Sequence, residues 1–185
     1  MSAGQRGLLE FAKSYCSLVY IAVYHFRGNE ILMPDNVFPV KIPKFNILGS
    51  HKEEFLSFAE TIGIPNDIQY EQSRFVIVTD KTKTINFAEK LVAFPYYKGF
   101  DKSEINCKKI MTYAVDENGA DVVGKNVRYK SDFTAFELLT GSGIGRVYID
   151  GTEKNYPKYA LALACGIMLS GIDFKTAVDI VSNPK

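Results

Sequence analysis

Residues Tyr159 to Leu169 read Tyr-Ala-Leu-Ala-Leu-Ala-Cys-Gly-Ile-Met-Leu, an apolar run with no charge in it. Pro157 ahead of it suits the first turn of a helix, where the missing N–H is unpaired in any case. Gly171 behind it supplies a stop. A helix over about residues 157–170 that is apolar nearly all round has no face to offer water, so other elements must enclose it. It is also far too short to cross a bilayer, which needs about 20 residues. Arg74-Phe-Val-Ile-Val78 is a second continuous apolar run, the pattern of a strand buried on both faces. A buried helix beside a buried strand predicts an α/β fold: a central mixed, mostly parallel sheet with helices on both faces. The chain has 185 residues and 46% hydrophobic content, which suits a single domain with an ample core.

The remaining elements follow from local signals. Residues 7–17 read as a short helix and Ser17 to Phe26 as a strand, with turns at Arg27-Gly28-Asn29 and Pro34-Asp35-Asn36. Val37 to Ile42 reads as an edge strand because of Pro39. Ser50 is placed as an N-cap with Glu53 at the capping-box position, and Phe55, Phe58, Ala59 and Ile62 share one helical face. Gly63 and Pro65 end that helix. Ile85 to Leu91 is expected to be a short helix, Lys109 to Val115 a strand and Asp116 to Gly119 a polar turn. Val127 to Leu139 reads as a helix stopped by Gly141-Ser142-Gly143, followed by the strand Arg146 to Asp150. Asp173 caps a last helix carrying Phe174, Ala177, Val178 and Val181.

Composition excludes several classes of function. The net charge is +1, so no global field favours nucleic acid or membrane. Cys16, Cys107 and Cys165 are widely spaced, and the only histidines are His25 and His51. No metal-ligand spacing follows from these, and reduced thiols imply an intracellular protein, cytoplasmic or nuclear. The N-terminus lacks the apolar core of a signal peptide. Gly141-Ser-Gly-Ile-Gly145 follows an expected helix and opens a strand, the reverse of a phosphate-binding glycine loop. Ser142 has no nucleophile-elbow context. Asp116, Glu117 and Asp121 cluster in a polar turn, and Asp116 and Asp121 with Asp150 are the set a carboxylate- or metal-dependent enzyme would use. Lys81 and Lys83 follow the buried strand, where ligands sit in open α/β sheets, and are candidate anion-binding residues. Tyr96, Tyr97 and Lys98 could stack on bases. Tyr20, Tyr24 and Phe26 could form a partner or self-association surface.

Most weight falls on Val147 to Lys158: a strand, then the loop Asp150, Gly151, Thr152, Glu153, Lys154, Asn155, Tyr156, Pro157, Lys158, then the apolar helix. Loop amides converging on a helix start would make an anion cradle. From Val147 to Val181 the segment resembles the cysteine-dependent dual-specificity phosphatases, in the branch of RNA 5′-triphosphatase domains and the baculovirus phosphatase. It shares that family's strand, loop, apolar helix, Gly171-Ile172 break and Ala177-Val178 pair. Phe75 to Lys83 and Gly28 to Pro43 extend the similarity upstream. The resemblance implies a phosphatase-like domain over residues 26–185 behind an N-terminal extension, 1–25, and allows a viral origin.

Under that resemblance the nucleophilic cysteine falls on Gly151 and the phosphate-binding arginine on Pro157. Neither a thiolate nor a guanidinium fork is available there, and Glu153 adds like charge. The expectation is a catalytically inactive pseudophosphatase with no cofactor and no metal, acting as a binding, regulatory or structural module for a protein partner or for itself. The alternative is an RNA 5′-end or polyphosphate-binding protein without turnover, using Lys81, Lys83, Lys154 and Lys158.

Overall fold

A computed structural model describes the backbone of residues 17–20, 25–27, 30–32 and 39–40, and residues 41–81 and 86–182 with their side chains, Asn66 excepted. Two short antiparallel pairs come first: β1 (Ser17–Tyr20) with β4 (Pro39–Ile42), and β2 (His25–Arg27) with β3 (Glu30–Leu32). Seven further strands form one sheet in the order β11-β10-β9-β8-β7-β6-β5. These are β5 (Asn46–Leu48), β6 (Phe75–Val78), β7 (Phe87–Pro95), β8 (Cys107–Val115), β9 (Val122–Tyr129), β10 (Phe133–Thr140) and β11 (Gly143–Asp150). Strands β5 to β9 are parallel to one another, and β10 and β11 are added antiparallel. The helices are α1 (Lys52–Thr61), α2 (Tyr156–Leu169) and α3 (Phe174–Val181).

The apolar run behaves as its composition requires. Leu161, Ala162, Leu163, Ala164, Cys165 and Ile167 of α2 are fully buried, between the sheet and the two other helices. Gly166 is where α2 comes closest to the strands: a Cβ there would lie 2.8 Å from Phe45 and 3.0 Å from Ile77. All four residues of β6 are buried. Its alternate side chains divide between two cores, Phe75 and Ile77 beneath the helices, and Val76 and Val78 on the far face. The far-face core is roofed by the loop around the 3-10 turn Lys102–Glu104, with Phe94 and Phe100 stacked at 5.1 Å between ring centres. On the β5 side, the Gln69 side chain accepts the Ile47 N–H at 2.9 Å.

Two expected helices are strands. Ile85 to Leu91 falls largely in β7, which lies between the buried strands β6 and β8, so its apolar residues satisfy strand partners rather than a helical face. Val127 to Leu139 contains the end of β9, the turn at 130–132 and most of β10. Burial alternates along Phe133–Thr140, with Thr134, Phe136 and Leu138 buried, a pattern that the mixed residues Phe-Thr-Ala-Phe-Glu-Leu-Leu-Thr do not display in sequence. Gly141-Ser142 is accordingly the tip of the β10–β11 hairpin, in which Thr140 faces Gly143, and not a helix stop. The edge strand over 37–42 is realised as β4, while the readings over 7–16 lie outside the described residues.

Register makes β9 to β11 a wing. Tyr113 to Val115 at the end of β8 pair with Val122 to Gly124 at the start of β9. The six-residue loop 116–121 is therefore enough to join two parallel strands, and β9 runs on past the carboxyl end of β8. The substitution Gly166→Ala tests the contact of α2 with the sheet. A gain in helix propensity of about 1 kcal/mol is outweighed by overpacking of ~1–3 kcal/mol against buried Phe45 and Ile77. The urea midpoint should fall with an unchanged m value; a rise would show that the core yields at no cost.

Candidate functional site

The carboxyl ends of β5 and β6 and the starts of α1 and α2 meet at one edge of the sheet. Strand β5 leads through Gly49, Ser50 and His51 directly into α1. Gly49 has φ +123° and lies against Thr79 and Asp80, so a side chain there would be both strained and obstructed. Thr79 N donates to Leu48 O at 2.8 Å, fixing the two strand ends together. Asp80, just past β6, accepts the Ser50 N–H at 2.7 Å and also the Ser50 hydroxyl in a very short hydrogen bond. Ser50 is therefore not the N-cap: His51 holds that position, without a side-chain cap bond. The Ser50 hydroxyl is drawn to a carboxylate instead, held below the ordinary aspartate range chiefly by that hydroxyl and further by the Ser50 N–H.

Glu54 in the first turn of α1 joins the two helices. Its Oε2 accepts from the Tyr159 hydroxyl at 2.5 Å and from Asn155 Nδ2 at 3.2 Å, and its Oε1 lies 3.3 Å from His51 Nδ1. These donors, Tyr159 first, lower the Glu54 pKa. Burial first, and then the neighbouring carboxylate, raise that of Tyr159. The Tyr159 ring is held in an aromatic cluster, 5.9 Å from Phe55 and 6.0 Å from Phe58 between centres. Burial lowers the pKa of Lys158, while the charges of Asp80 and Glu54 oppose that shift.

Outside this cluster opens a groove of about 880 Å³, lined by Glu53, Glu54, Glu153, Lys154, Tyr156 and Tyr159 among others. The expected loop, 150–158, does adjoin the start of the apolar helix and forms one wall of this groove. Gly151 takes φ +102°, donates its N–H to Asp132 O at 2.7 Å and accepts from the Thr134 hydroxyl through its own carbonyl. Pro157 is buried at the helix start. The loop's amides are therefore partly spent inside the protein: Gly151 N bonds to Asp132 O, and Tyr156 N to Glu153 O.

The other candidates are dispersed. Lys81 stands 3.9 Å over the Tyr97 ring, Lys154 is an exposed wall of the groove and Lys83 lies outside the described residues. Tyr96 and Tyr97 pack against Phe100, and Lys98 lies in the loop beside them. Asp121 is bound by Lys102 at 2.6 Å and by Thr112, whereas Asp116 lies 3.8 Å from Lys125. Asp150 is the last residue of β11, within the wing and paired with Phe133. Among the described residues no three His, Cys, Asp or Glu side chains converge as metal ligands. Cys165 is buried and its pKa raised by burial, so it is a core residue. Ser50, Glu54, Asp80 and Tyr159 were not assigned functional roles from the sequence, and Asn155 was named only as a member of the loop. The strand-end position of Asp80 was the available signal, and the pairing of Glu54 with Tyr159 had none.

Fold and groove define an α/β protein with a polar cleft at the carboxyl edge of a parallel sheet, the usual place for ligands in open α/β sheets. No family model and no curated protein matches the chain. Similar solved structures are ligases. One is UDP-N-acetylmuramoylalanyl-D-glutamyl-2,6-diaminopimelate–D-alanyl-D-alanyl ligase from Acinetobacter baumannii, 14% identical, with TM-score 0.47 over 62% of this chain and 30% of that one. A second structure, of MurF from Acinetobacter baumannii, is 13% identical with the same TM-score and coverage. UDP-N-acetylmuramoyl-L-alanyl-D-glutamate–2,6-diaminopimelate ligase is 20% identical, with TM-score 0.36 over 52% of this chain and 22% of that one. The chain thus spans less than a third of these ligases' length.

The resemblance to cysteine-dependent phosphatases and RNA triphosphatases is corrected by these findings. The similar structures are of another kind. The sheet agrees, because the strand before the loop should be a core strand with neighbours on both sides, whereas among the described residues β11 is the last strand and pairs only with β10, antiparallel. Shared spacing of strand, loop and apolar helix arose without a shared sheet order. The inference that Gly151 and Pro157 stand where a nucleophile and an arginine once stood falls with it.

Because the Glu54 pKa lies below its ordinary value of 4.5, the unfolded chain takes up this proton first as pH falls. Its stabilising effect is complete above the unfolded value and is lost as pH drops through the folded one. Tyr159→Phe removes the leading donor and keeps the ring. Urea midpoints at pH 7 and pH 3 should then differ less in the variant than in the parent; an equal difference would assign the acid sensitivity elsewhere.

Proposed function

We propose that this chain is a binding module without turnover whose groove between α1 and the loop 151–155 receives a basic segment of a protein partner. The carrying observation is the groove wall: Glu53 and Glu153 are exposed carboxylates with no ion pair among the described residues, beside the half-buried ring of Tyr156. Carboxylates flanked by aromatic faces suit guanidinium or ammonium groups, through bidentate pairing and cation–π contact. The volume is within the range of ligand clefts.

Two further features favour a cation over a phosphate. At the start of α1 the Ser50 amide is already taken by Asp80, and Glu54 occupies the space between the two helix starts. An incoming phosphate would meet carboxylates where it needs donors. The absence of turnover rests on the same groups. Asp80, which holds the Ser50 hydroxyl, has a lowered pKa and is a weak base, and Cys107 is a free thiol whose pKa burial raises. Free thiols at Cys107 and Cys165 support an intracellular setting. No described helix is long and apolar enough to cross a membrane.

A fluorescent eight-residue peptide of alternating Arg and Gly, titrated against the full chain, tests the proposal. Binding should weaken about tenfold or more in Glu53→Gln/Glu153→Gln and with rising salt. Thermal protection by inorganic triphosphate, lost in Lys81→Ala/Lys158→Ala and unmatched by the peptide, would replace the proposal with anion binding.

A further inference from the structure

We infer that the face of the wing turned away from the helices binds single-stranded nucleic acid, independently of the groove. Strands β9, β10 and β11 bury Phe136, Val147 and Ile149 against the helices, so alternation sends Arg128, Ala135, Arg146 and Tyr148 to the opposite face. No described residue roofs these side chains: Arg128, Arg146 and Tyr148 are all exposed, Tyr148 by 40%.

The arrangement is specific. Arg128, Ala135 and Tyr148 are direct partners across three strands. At about 4.8 Å between strands, the small Ala135 leaves a hollow roughly 10 Å wide between a guanidinium stem and a phenol ring. Arg146, two residues from Tyr148 on the same strand, closes the hollow, which measures about 210 Å³. Phe133 packs 6.3 Å from Tyr148 and extends the aromatic surface along the wing. A register shift between Ala135 and Glu137, with Asn126 at φ +55°, bends the sheet at this point.

Arg128 and Arg146 have no ion-pair partner among the described residues, although a carboxylate is near. Glu137 faces Arg146 across the strands, yet it is engaged by Asn126 Nδ2 at 2.7 Å. Two unpaired guanidinium groups beside an open pair of aromatic rings have the chemistry of a strand-binding platform, in which rings stack on bases and cations follow the phosphates. A duplex would not serve, since its bases are stacked internally and closed to these rings. The hollow takes one nucleotide, with its base on Tyr148 and its phosphate toward Arg128 or Arg146. Neighbouring nucleotides would run toward Phe133.

Anisotropy titrations with fluorescent twelve-residue oligo-U RNA, oligo-dT DNA and a duplex, at about 50 mM and 200 mM salt, test this. Either single strand should bind more tightly than duplex and lose affinity as salt rises. Tyr148→Ala should weaken binding about tenfold, and Arg128→Ala/Arg146→Ala should both weaken it and flatten the salt dependence. Glu53→Gln/Glu153→Gln should leave it unchanged, which separates this face from the groove. All the substituted side chains are exposed, and matched thermal melts confirm the fold. Failure of both strands to bind at low salt, or equal binding by the Tyr148 and arginine variants, overturns the inference. Preference for RNA over DNA would indicate contacts to the 2′-hydroxyl.

Discussion

Enclosure of α2 is the constraint on which the other elements depend. A helix with no polar face can exist in water only if it is covered along its whole length, and here the parallel strands, α1 and α3 cover it. Gly166 permits the close approach to Phe45 and Ile77, and the Cys165 thiol lies 3.9 Å from the Thr112 carbonyl. Because α2 sits across the strands, its first turn is held at their carboxyl edge. Tyr159 and Asn155 are thereby delivered to Glu54.

The polar cluster at that edge is internally balanced. Tyr113 reaches across to the Val78 carbonyl at 2.6 Å from full burial, setting β8 against β6 just below Asp80. Asp80 and Glu54 then take up donors that an exogenous anion would need. What remains open to solvent is the acidic, tyrosine-lined outer wall. The wing carries the opposite character on its outward face, with two arginines that have no ion pair among the described residues and a tilted pair of aromatic rings. A net charge of +1 thus conceals a separation of acidic and basic surfaces that only the folded chain displays.

The legible elements were those whose signals are local. The apolar helix, the buried strand Phe75–Val78 and the last helix, whose Asp173 accepts the Thr176 N–H at 3.0 Å, all follow from residues adjacent in the chain. The misread elements were sheet strands whose stability comes from partners distant in sequence. Val127 to Leu139 contains good helix formers, yet pairing with β9 and β11 decides its state. The site was only half legible for the same reason. The loop 150–158 adjoins the apolar helix as its sequence suggests, but the partner of Tyr159 lies 105 residues away at Glu54. The phosphatase resemblance failed because spacing along a chain does not encode the order of strands in a sheet.

Composition and periodicity by themselves determined that this protein is α/β, that residues 157–170 lie inside it, and that Cys165 belongs to its core, since burial of apolar surface is dictated by which side chains are present. Tertiary structure alone decided that β11 ends the sheet, that carboxylates hold the helix starts, and that Arg128 and Tyr148 share an open face. Those outcomes depend on hydrogen-bond pairing between segments far apart in the chain, and such pairing is fixed only when the strands choose their neighbours.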